Sequence, residues 1–530
     1  MKKYIKIIFA TALLIGTTSC MKDLEQTPIY GDTSANLFAN FDNYHSLLAK
    51  VYGSLAISGQ NGADGNPDIS GIDNGAQNYT RMLFVMQEIS TDEVKNCWGG
   101  DLNNSMPFVN KITWSQNDLS VSGMYSRLYV IMAFANEFIR NTMDNRFANY
   151  GLNDDQIKEA KYMRAEARFI RALICYNLLD MYGNAPYMTE TDYPGTVIPR
   201  QTSRQELYNF VESELLACAD ELKAPGTNEY GRVDQAAAWT LLARLYLNSE
   251  VYVNQPHYDK VIEYCNKVIN SGVYHLASDY ANLFKADNNQ YGDGTKPNER
   301  EFIFPICFDG LHTQTYGGTT YMVKAALVGK MNFNDFGVND KWTGNRVTPQ
   351  FVDKFEPTDI RGNFFTDGQS KTIDDFTSDT NGYGFIKYTN KTSTGATGSN
   401  TSYCDADIPV FRLADIYLMY AEAFVRGGGG DAATALGYVN ALRKRAQASP
   451  KTSADLTKDF ILDERARELS WEYTRRTDLI RFNKFTTNDY LWEWKGGVLN
   501  GQAVDSRFNL YPIPSTVLTA NPNLQQNPGY

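Results

Sequence analysis

The sequence is poor in the residues that metal sites and disulfide frameworks use. It has four histidines in 530 residues, none at the spacing of a metal-ligand pair, so a metalloenzyme is not expected. Its cysteines form no CxxC motif and no Cys/His pairing of the zinc type. Those that lie within apolar helical patterns are expected to be buried thiols. The six that follow the N-terminal segment are scattered along the chain: Cys97, Cys175, Cys218, Cys265, Cys307 and Cys404.

Positive charge is also in short supply, and so are long hydrophobic runs. The chain carries 50 lysines and arginines against 61 aspartates and glutamates, a formal charge of −11 at pH 7. A protein that neutralises nucleic-acid phosphates needs a basic face, so we expect no nucleic-acid partner. After residue 20 no apolar run approaches the ~20 residues that span a bilayer, which excludes a helical transporter.

The first twenty residues form a secretory signal that ends at a cysteine. MKKYIKIIFATALLIGTTSC combines three lysines, an apolar core and a small-residue run before Cys20, and it is too short for an ordinary membrane span. A cysteine at the cleavage point can carry lipid, so the pattern predicts a signal peptide over 1–19 and lipidation of Cys20. The alternative is an ordinary secreted protein with an incidental cysteine. Cleavage would bring the formal charge from −11 to −14, so attachment to a membrane would depend on the acyl chains.

Most of the remaining chain has the periodicity of amphipathic helices. Residues 20–40 comprise Cys20 and a polar tether, and from residue 43 apolar residues recur at steps of three and four. Ser203 and Glu206 form a capping box. We therefore predict a mostly α fold, with a single domain over 41–530 on a tetratricopeptide-like helix-pair scaffold. The predicted helices cover 43–57, 122–140, 160–181, 204–222, 234–248, 258–270, 412–425 and 431–445.

Two stretches lack this helical pattern. Residues 60–120 and 275–410 are rich in Asn, Asp, Gly, Thr and Tyr, and pieces such as Glu301–Phe308 look like short strands. A long irregular insertion with short strands on a helical scaffold is where binding residues usually lie. We expect the functional loops in these two stretches.

Several segments carry a family resemblance. They are DERARELSWEYTRRTDLIRFNKF (463–485), YPIPSTVLTANPNLQQNPGY (511–530), AEARFIRALICYNLLDMYGNAP (165–186) and DIPVFRLADIYLMYAEAFVRGG (407–428). Together they resemble the RagB/SusD family of surface glycan-binding lipoproteins. Cys20 followed by Lys22, Asp23 and Glu25 is similar to the acidic surface-export signal of the bacteria that carry this family.

The resemblance implies a function and a location. It implies a non-catalytic, lipid-anchored receptor on the outer face of the outer membrane. This receptor would capture oligosaccharides and work with a SusC-like TonB-dependent transporter that it caps like a lid. Segments 58–71, 316–323 and 485–501 are similar to the starch-binding founder member of the family, which favours starch and malto-oligosaccharides as ligands. A different polysaccharide is the alternative.

Sugar binding needs aromatic planes for the apolar faces of the sugar and polar groups for its hydroxyl edges. Trp98 and Trp342 lie in Gly/Asn-rich loops, and Tyr291 lies in DNNQYGDG. By resemblance these three residues form the aromatic arc of the site. Arg81 matches the family's hydrogen-bonding Arg, and Asp101 stands at the position of its Asn. A carboxylate accepts hydrogen bonds from sugar hydroxyls but donates none.

Two other functions remain open from the residues alone. A glycoside hydrolase would need two carboxylates flanking a sugar bond. Glu464, Glu468 and Glu472 repeat at steps of four, but interleaved arginines favour a structural, charge-laced helix face. A helix-pair scaffold for protein partners, without sugar affinity, is the second alternative.

No cofactor is required by this interpretation. Asp287, Asn288 and Asn289 could supply oxygen ligands to a structural calcium ion,. Such clusters are more often plain turns, so the sequence leaves the metal undecided.

Overall fold

The computed structural model describes residues 34–63, 65–193 and 195–530, so the predicted signal peptide, Cys20 and residues 21–33 of the tether lie outside the described residues. Helices supply most of the architecture. In chain order they are α1 (Ser34–Phe38), α2 (Asn43–Ala56), α3 (Tyr79–Phe84), α4 (Asp101–Asn104), α5 (Met106–Lys111), α6 (Leu119–Asn141), α7 (Asp144–Tyr150), α8 (Asp154–Met181), α9 (Arg204–Glu221), α10 (Gln235–Leu247), α11 (Ser249–Val253), α12 (Tyr258–Asn270), α13 (Gly318–Lys324), α14 (Pro349–Val352), α15 (Leu413–Val425), α16 (Ala432–Arg445), α17 (Lys458–Leu469), α18 (Arg475–Arg481) and α19 (Ser515–Ala520).

Each of the eight predicted helices is present, and all but α8 begin and end within about three residues of the prediction. The capping box at α9 is confirmed, because Ser203 Oγ accepts from the Glu206 amide at 3.2 Å and Glu206 Oε2 accepts from the Ser203 amide at 2.9 Å. A similar box between Asn153 and Gln156 begins α8 about six residues before the predicted start,. The mostly α prediction is therefore confirmed.

The long helices pack against their neighbours in sequence. α6 packs on α8, α8 on α9, α9 on α10 and α10 on α12. The series continues from α12 to α15 and from α15 to α16. Aromatic and aliphatic side chains between these pairs form one large core, which also contains Trp114 and Trp471,. The helix pairs therefore provide a rigid frame for the loops on which the site lies.

Strands are short and pair across long stretches of chain. They are β1 (Gly59–Asn61), β2 (Gly65–Pro67), β3 (Val94–Asn96), β4 (Phe302–Ile306), β5 (Asn345–Val347), β6 (Phe364–Phe365), β7 (Gly384–Phe385) and β8 (Ile408–Arg412). In the described chain they form four antiparallel pairs, β1–β2, β3–β5, β4–β8 and β6–β7. The strand expected within 301–308 is confirmed as β4, and β3–β5 connects the two irregular stretches.

The charged C-terminal segment differs from its expected form. α17 ends at Leu469, and Trp471 and Tyr473 then adopt left-handed φ values of 61° and 66°, so Glu472 lies beyond the helix. Glu464, Glu468 and Glu472 are buried rather than displayed on a solvated face. Arg412 donates to Glu472 at 2.7 Å, to Glu468 at 2.7 Å and to Glu301 at 2.9 Å. The structural interpretation of these glutamates is correct, but they join elements of the core.

Candidate functional site

The β3–β5 pair brings two distant loops together. Val94 pairs with Val347 and Asn96 with Asn345, and the Cys97 amide donates to the Gly344 carbonyl at 2.9 Å. Asn96 Nδ2 also donates to Asn345 Oδ1 at 2.7 Å, in the buried layer below. The loop that follows β3 and the loop that precedes β5 therefore leave the same end of a two-stranded ribbon.

Trp98 and Trp342 are carried by these two loops and lie side by side. Their ring centroids are 6.5 Å apart, with 54° between the planes. Trp98 Nε1 donates to the carbonyls of Trp342 and Thr343, both at 3.2 Å. Both rings are partly exposed. A side chain at Gly344 would lie 2.6 Å from Trp98 Cζ2, so a residue without Cβ is needed where the indole rests on the backbone.

Arg81 and Asp101 form an ion pair beside Trp98. Arg81 Nη2 donates to both Asp101 carboxylate oxygens, at 2.9 and 2.7 Å. The guanidinium carbon lies 5.0 Å from the centroid of the Tyr321 ring and 6.0 Å from that of Trp98. Arg81 Nε is buried and has no hydrogen-bond partner among the described residues. The structure thus brings four predicted residues together: Arg81, Trp98, Asp101 and Trp342.

Tyr291 does not provide the expected third platform. Its ring is 1% exposed, with the Lys296 ammonium 4.7 Å from its centroid, so it offers no face to a sugar. Tyr316 instead lies beside the two tryptophans: it is 36% exposed, and its ring centroid is 6.1 Å from that of Trp342. The signal for Tyr316 was in the sequence, since it begins the segment 316–323 that resembles the founder member. The Gly/Asn-rich sequence around Tyr291 does not reveal that its side chain is buried.

A buried lysine supports Trp342 from below. Lys324 is 3% exposed, and its ammonium lies 5.5 Å from the centroid of the Trp342 ring,. The ammonium pairs with Asp340 and donates to Asn339 Oδ1 at 2.9 Å. Trp342 Nε1 donates to Asp340 Oδ2 at 3.3 Å. These contacts orient the indole before any ligand arrives. Neither Lys324 nor Tyr321 could be assigned from the sequence, because their roles depend on tertiary contacts.

The glutamates considered as catalytic carboxylates of a hydrolase are buried and paired with arginines. Burial opposes ionisation of Glu464, but the guanidinium groups of Arg361, Arg467 and Arg443 outweigh it and lower the pKa of Glu464 to about 2. The same balance, with Arg445 and Arg412 contributing most, holds the pKa of Glu468 below its usual range. A general acid for glycoside cleavage needs a raised pKa and access to the sugar. These glutamates have neither property.

The proposed calcium ligands have protein partners. Asp287 Oδ1 accepts from the Ser393 amide at 2.7 Å, and Asn288 Oδ1 accepts from the Asp407 amide at 2.9 Å. Within the described ranges no group of three or more His, Cys, Asp or Glu residues could hold a metal ion. Among the same residues, no helix is both long enough and apolar enough to cross a bilayer.

Sequence comparison gives two matching family models and full-length relatives. The model described as the SusD family matches residues 286–530, and the one described as starch-binding associating with outer membrane matches residues 68–247. The chain is 35% identical to the starch-binding protein SusD of Bacteroides thetaiotaomicron, over 100% of this chain and 99% of that protein. It is 25% identical to SusD-like protein P2 of Formosa agariphila, over the full length of both.

Solved structures share the fold. A SusD superfamily protein from Parabacteroides distasonis aligns with a TM-score of 0.70 and 22% identity, covering 92% of this chain and 99% of that one. Surface glycan-binding protein A of Bacteroides thetaiotaomicron, solved with laminarihexaose, aligns with a TM-score of 0.68 and 18% identity at the same coverage. With a fold common to this superfamily and 35% identity to SusD along the full length of both chains, the chain belongs to the SusD/RagB family.

Proposed function

We propose that the protein is a non-catalytic glycan receptor that captures starch-derived α-glucans at the cell surface. The observation that carries the proposal is the partly exposed aromatic cluster of Trp98, Trp342 and Tyr316, with the Arg81–Asp101 pair at its edge. Ring faces of this kind stack on the C–H faces of sugars, and the charged side chains of the ion pair form hydrogen bonds with the sugar hydroxyl groups.

The inclination of the rings favours a curved ligand. Trp98 and Trp342 are inclined by 54°, and Trp342 and Tyr316 by 63°. A flat, straight glycan would need nearly coplanar platforms. A helical α-glucan turns its faces from one sugar to the next, so it can meet rings that turn in the same way. The name of the relative SusD, a starch-binding protein, supports the same choice.

Affinity should be modest. Three platforms contribute ~0.5–1.5 kcal/mol each beyond the area that they bury, and a Kd of 1 mM corresponds to about −4 kcal/mol. We expect a Kd in the micromolar range at best. Weak binding suits a receptor that passes its ligand to a TonB-dependent outer-membrane transporter, the partner that we infer from the family. Lipidation of Cys20 would keep the receptor beside that transporter.

The proposal is tested by affinity electrophoresis in starch gels and by titration calorimetry with maltoheptaose. Trp98→Ala removes one platform together with the area that it buries, so it should lower the affinity about tenfold or more. A tenfold change corresponds to about 1.4 kcal/mol. Tyr193→Ala is the matched control, because Tyr193 is another exposed aromatic residue (50%) that contacts Arg140 outside the cluster. Unretarded mobility of the unmodified protein would contradict α-glucan binding, and a panel that includes laminarihexaose would then identify another glycan.

The absence of catalysis is checked in the same experiment. Incubation with maltoheptaose should release no reducing ends above background, because the buried glutamates are paired with arginines. Turnover that survives in Trp98→Ala would indicate a contaminant, whereas turnover lost with Trp98 would overturn the receptor assignment.

A further inference from the structure

We propose that Tyr403 is a fourth aromatic platform and that it makes affinity depend on the length of the glycan chain. The inference rests on the proposed function, because it extends the same site by one further sugar. It assigns to Tyr403 a specificity role in a loop that is distant in sequence from the other three platforms.

Tyr403 continues the row of rings with the same spacing. Its centroid is 5.9 Å from that of Tyr316, and the two planes are inclined by 44°. The preceding steps are 6.1 Å from Tyr316 to Trp342 and 6.5 Å from Trp342 to Trp98. Tyr403 is partly exposed, like the two indoles. The four rings therefore form one row, in which each ring is 5.9 to 6.5 Å from the next and inclined to it.

The loop that carries Tyr403 is fixed to the loop that carries Trp342. The Asn339 amide donates to the Thr401 carbonyl at 3.1 Å, and Asn339 Nδ2 donates to Ser402 Oγ at 2.9 Å. Asn339 Oδ1 accepts from Lys324, the residue beneath the Trp342 ring, at 2.9 Å. One asparagine therefore sets the distance between the two loops.

Contacts on the other side of Tyr403 complete its positioning. The Cys404 amide donates to Thr320 Oγ1 at 3.0 Å, on the helix α13 that follows Tyr316. Asp405 accepts from the Gly310 amide at 2.8 Å and from Ser399 Oγ at 2.7 Å. The ring is already held in position before binding. A sugar that contacts it therefore costs little conformational entropy.

The polar groups at one end of the row of rings determine which ligands contact Tyr403. Arg81 and Asp101, the pair that addresses hydroxyl groups, lie beside Trp98 at the opposite end. A short oligosaccharide is held there by stacking and hydrogen bonds together and does not extend to Tyr403. A longer chain extends over Trp342 and Tyr316 and also contacts Tyr403.

The test is titration calorimetry of the mature chain with maltotriose and with maltoheptaose. Tyr403→Ala should weaken maltoheptaose binding roughly two- to tenfold, the range of one aromatic platform, and leave maltotriose binding unchanged. Tyr403→Phe keeps the ring and should bind both ligands as the unmodified protein does. Tyr193→Ala is the control for loss of an exposed tyrosine elsewhere, and thermal melts confirm that each variant is folded.

Two results would overturn the fourth platform alone: equal maltoheptaose affinity in Tyr403→Ala and the unmodified protein, or equal weakening of both ligands. An unmodified protein that binds neither oligosaccharide contradicts the proposed function itself, and the chain-length role falls with it. The two failures are thus distinguishable by the behaviour of the unmodified protein.

Discussion

At the scale of single residues, the pair formed by Arg81 and Asp101 determines what hydrogen bonds the site can offer. Both oxygens of Asp101 are engaged by Arg81 Nη2, and a carboxylate has no proton to donate. The side chain of Arg81 is 9% exposed and that of Asp101 is 21% exposed. The pair therefore acts as one unit in which each charge neutralises the other beside the Trp98 ring.

Replacing Asp101 by Asn should change sugar binding more than stability. The amide keeps an acceptor for Arg81 and adds a donor for a sugar hydroxyl, and one hydrogen bond contributes about 0.5–1.5 kcal/mol. We expect maltoheptaose affinity in Asp101→Asn to rise about two- to tenfold, measured by calorimetry. A fall in affinity would mean instead that the full charge of Asp101 is required to orient Arg81.

Gly344 offers a second test at the residue scale. A methyl group there would lie 2.6 Å from Cζ2 and 2.7 Å from Cε2 of Trp98, so the indole must move. Gly344→Ala should lower glycan affinity by about as much as partial loss of one platform, ~1 kcal/mol, with the fold retained. Gly99→Ala is the matched control, because a Cβ at Gly99 meets nothing within 4 Å. Equal affinity in the two variants would show that Trp98 does not depend on this contact.

At the scale of elements, the segment that leads into β3 is held by buried acids. Glu93 is 1% exposed and precedes β3 directly, and Glu88 is fully buried in the preceding turn. Burial, opposed by Arg475 and reinforced by Asp92, raises the pKa of Glu93 to about 8. Burial and the neighbouring Glu93 raise the pKa of Glu88 as well. The two acids are thus favoured in the protonated form in the folded protein.

These raised pKa values predict a stability that falls with pH. An acid whose folded pKa exceeds its unfolded value contributes stability that is complete below about pH 4.5 and is lost as the pH rises through the folded value, about 8 for Glu93,. Urea midpoints measured between pH 5 and pH 7 should therefore decrease, a window below the lowered pKa of the buried Lys95, about 7, whose deprotonation acts in the opposite sense,. Glu93→Gln, which stays neutral, should give a shallower decrease, whereas an unchanged slope would show that Glu93 remains ionised.

Elements were predictable where their signals are local. The stripes of α8 and α10 and the box of Ser203 and Glu206 depend on spacing within one helix, so the sequence was sufficient. The burial of Glu468 was not predictable, because its partners Arg412 and Arg445 come from elsewhere in the chain. The resemblance of segment 316–323 pointed to the region of Tyr316, but its contact with Trp342 depends on the tertiary fold. Arg81, Trp98 and Asp101 came from resemblance rather than from spacing.

At the scale of the whole molecule, the predicted lipidation at Cys20 and the proposed glycan site belong to different parts of the chain. Of the predicted tether, the part between Cys20 and Ser34 can extend by at most ~50 Å, at ~3.5 Å per residue, because residues 34–38 are helical. The folded body that begins at Ser34 would therefore remain close to the membrane if Cys20 carries lipid. Net negative charge gives this body no attraction of its own to anionic lipid,.

Cys20→Ala should release the protein from the membrane without affecting its ligand site. We expect the unmodified protein to incorporate radiolabelled palmitate and to fractionate with outer membranes, and Cys20→Ala to do neither while binding maltoheptaose normally. Cys307→Ala removes a half-buried thiol of the folded body and should keep both properties. Membrane retention of Cys20→Ala would argue for an ordinary signal peptide and another means of attachment.

The pairing of β3 with β5 has a consequence for the order of events during folding. Val94 pairs with Val347, a residue about 250 positions further along the chain. Contacts between residues so far apart in sequence form slowly during folding. No nascent or truncated chain that ends before β5 can assemble the two tryptophan loops. Ligand binding should therefore be among the last properties to appear on refolding, and it would report that both halves of the chain have joined.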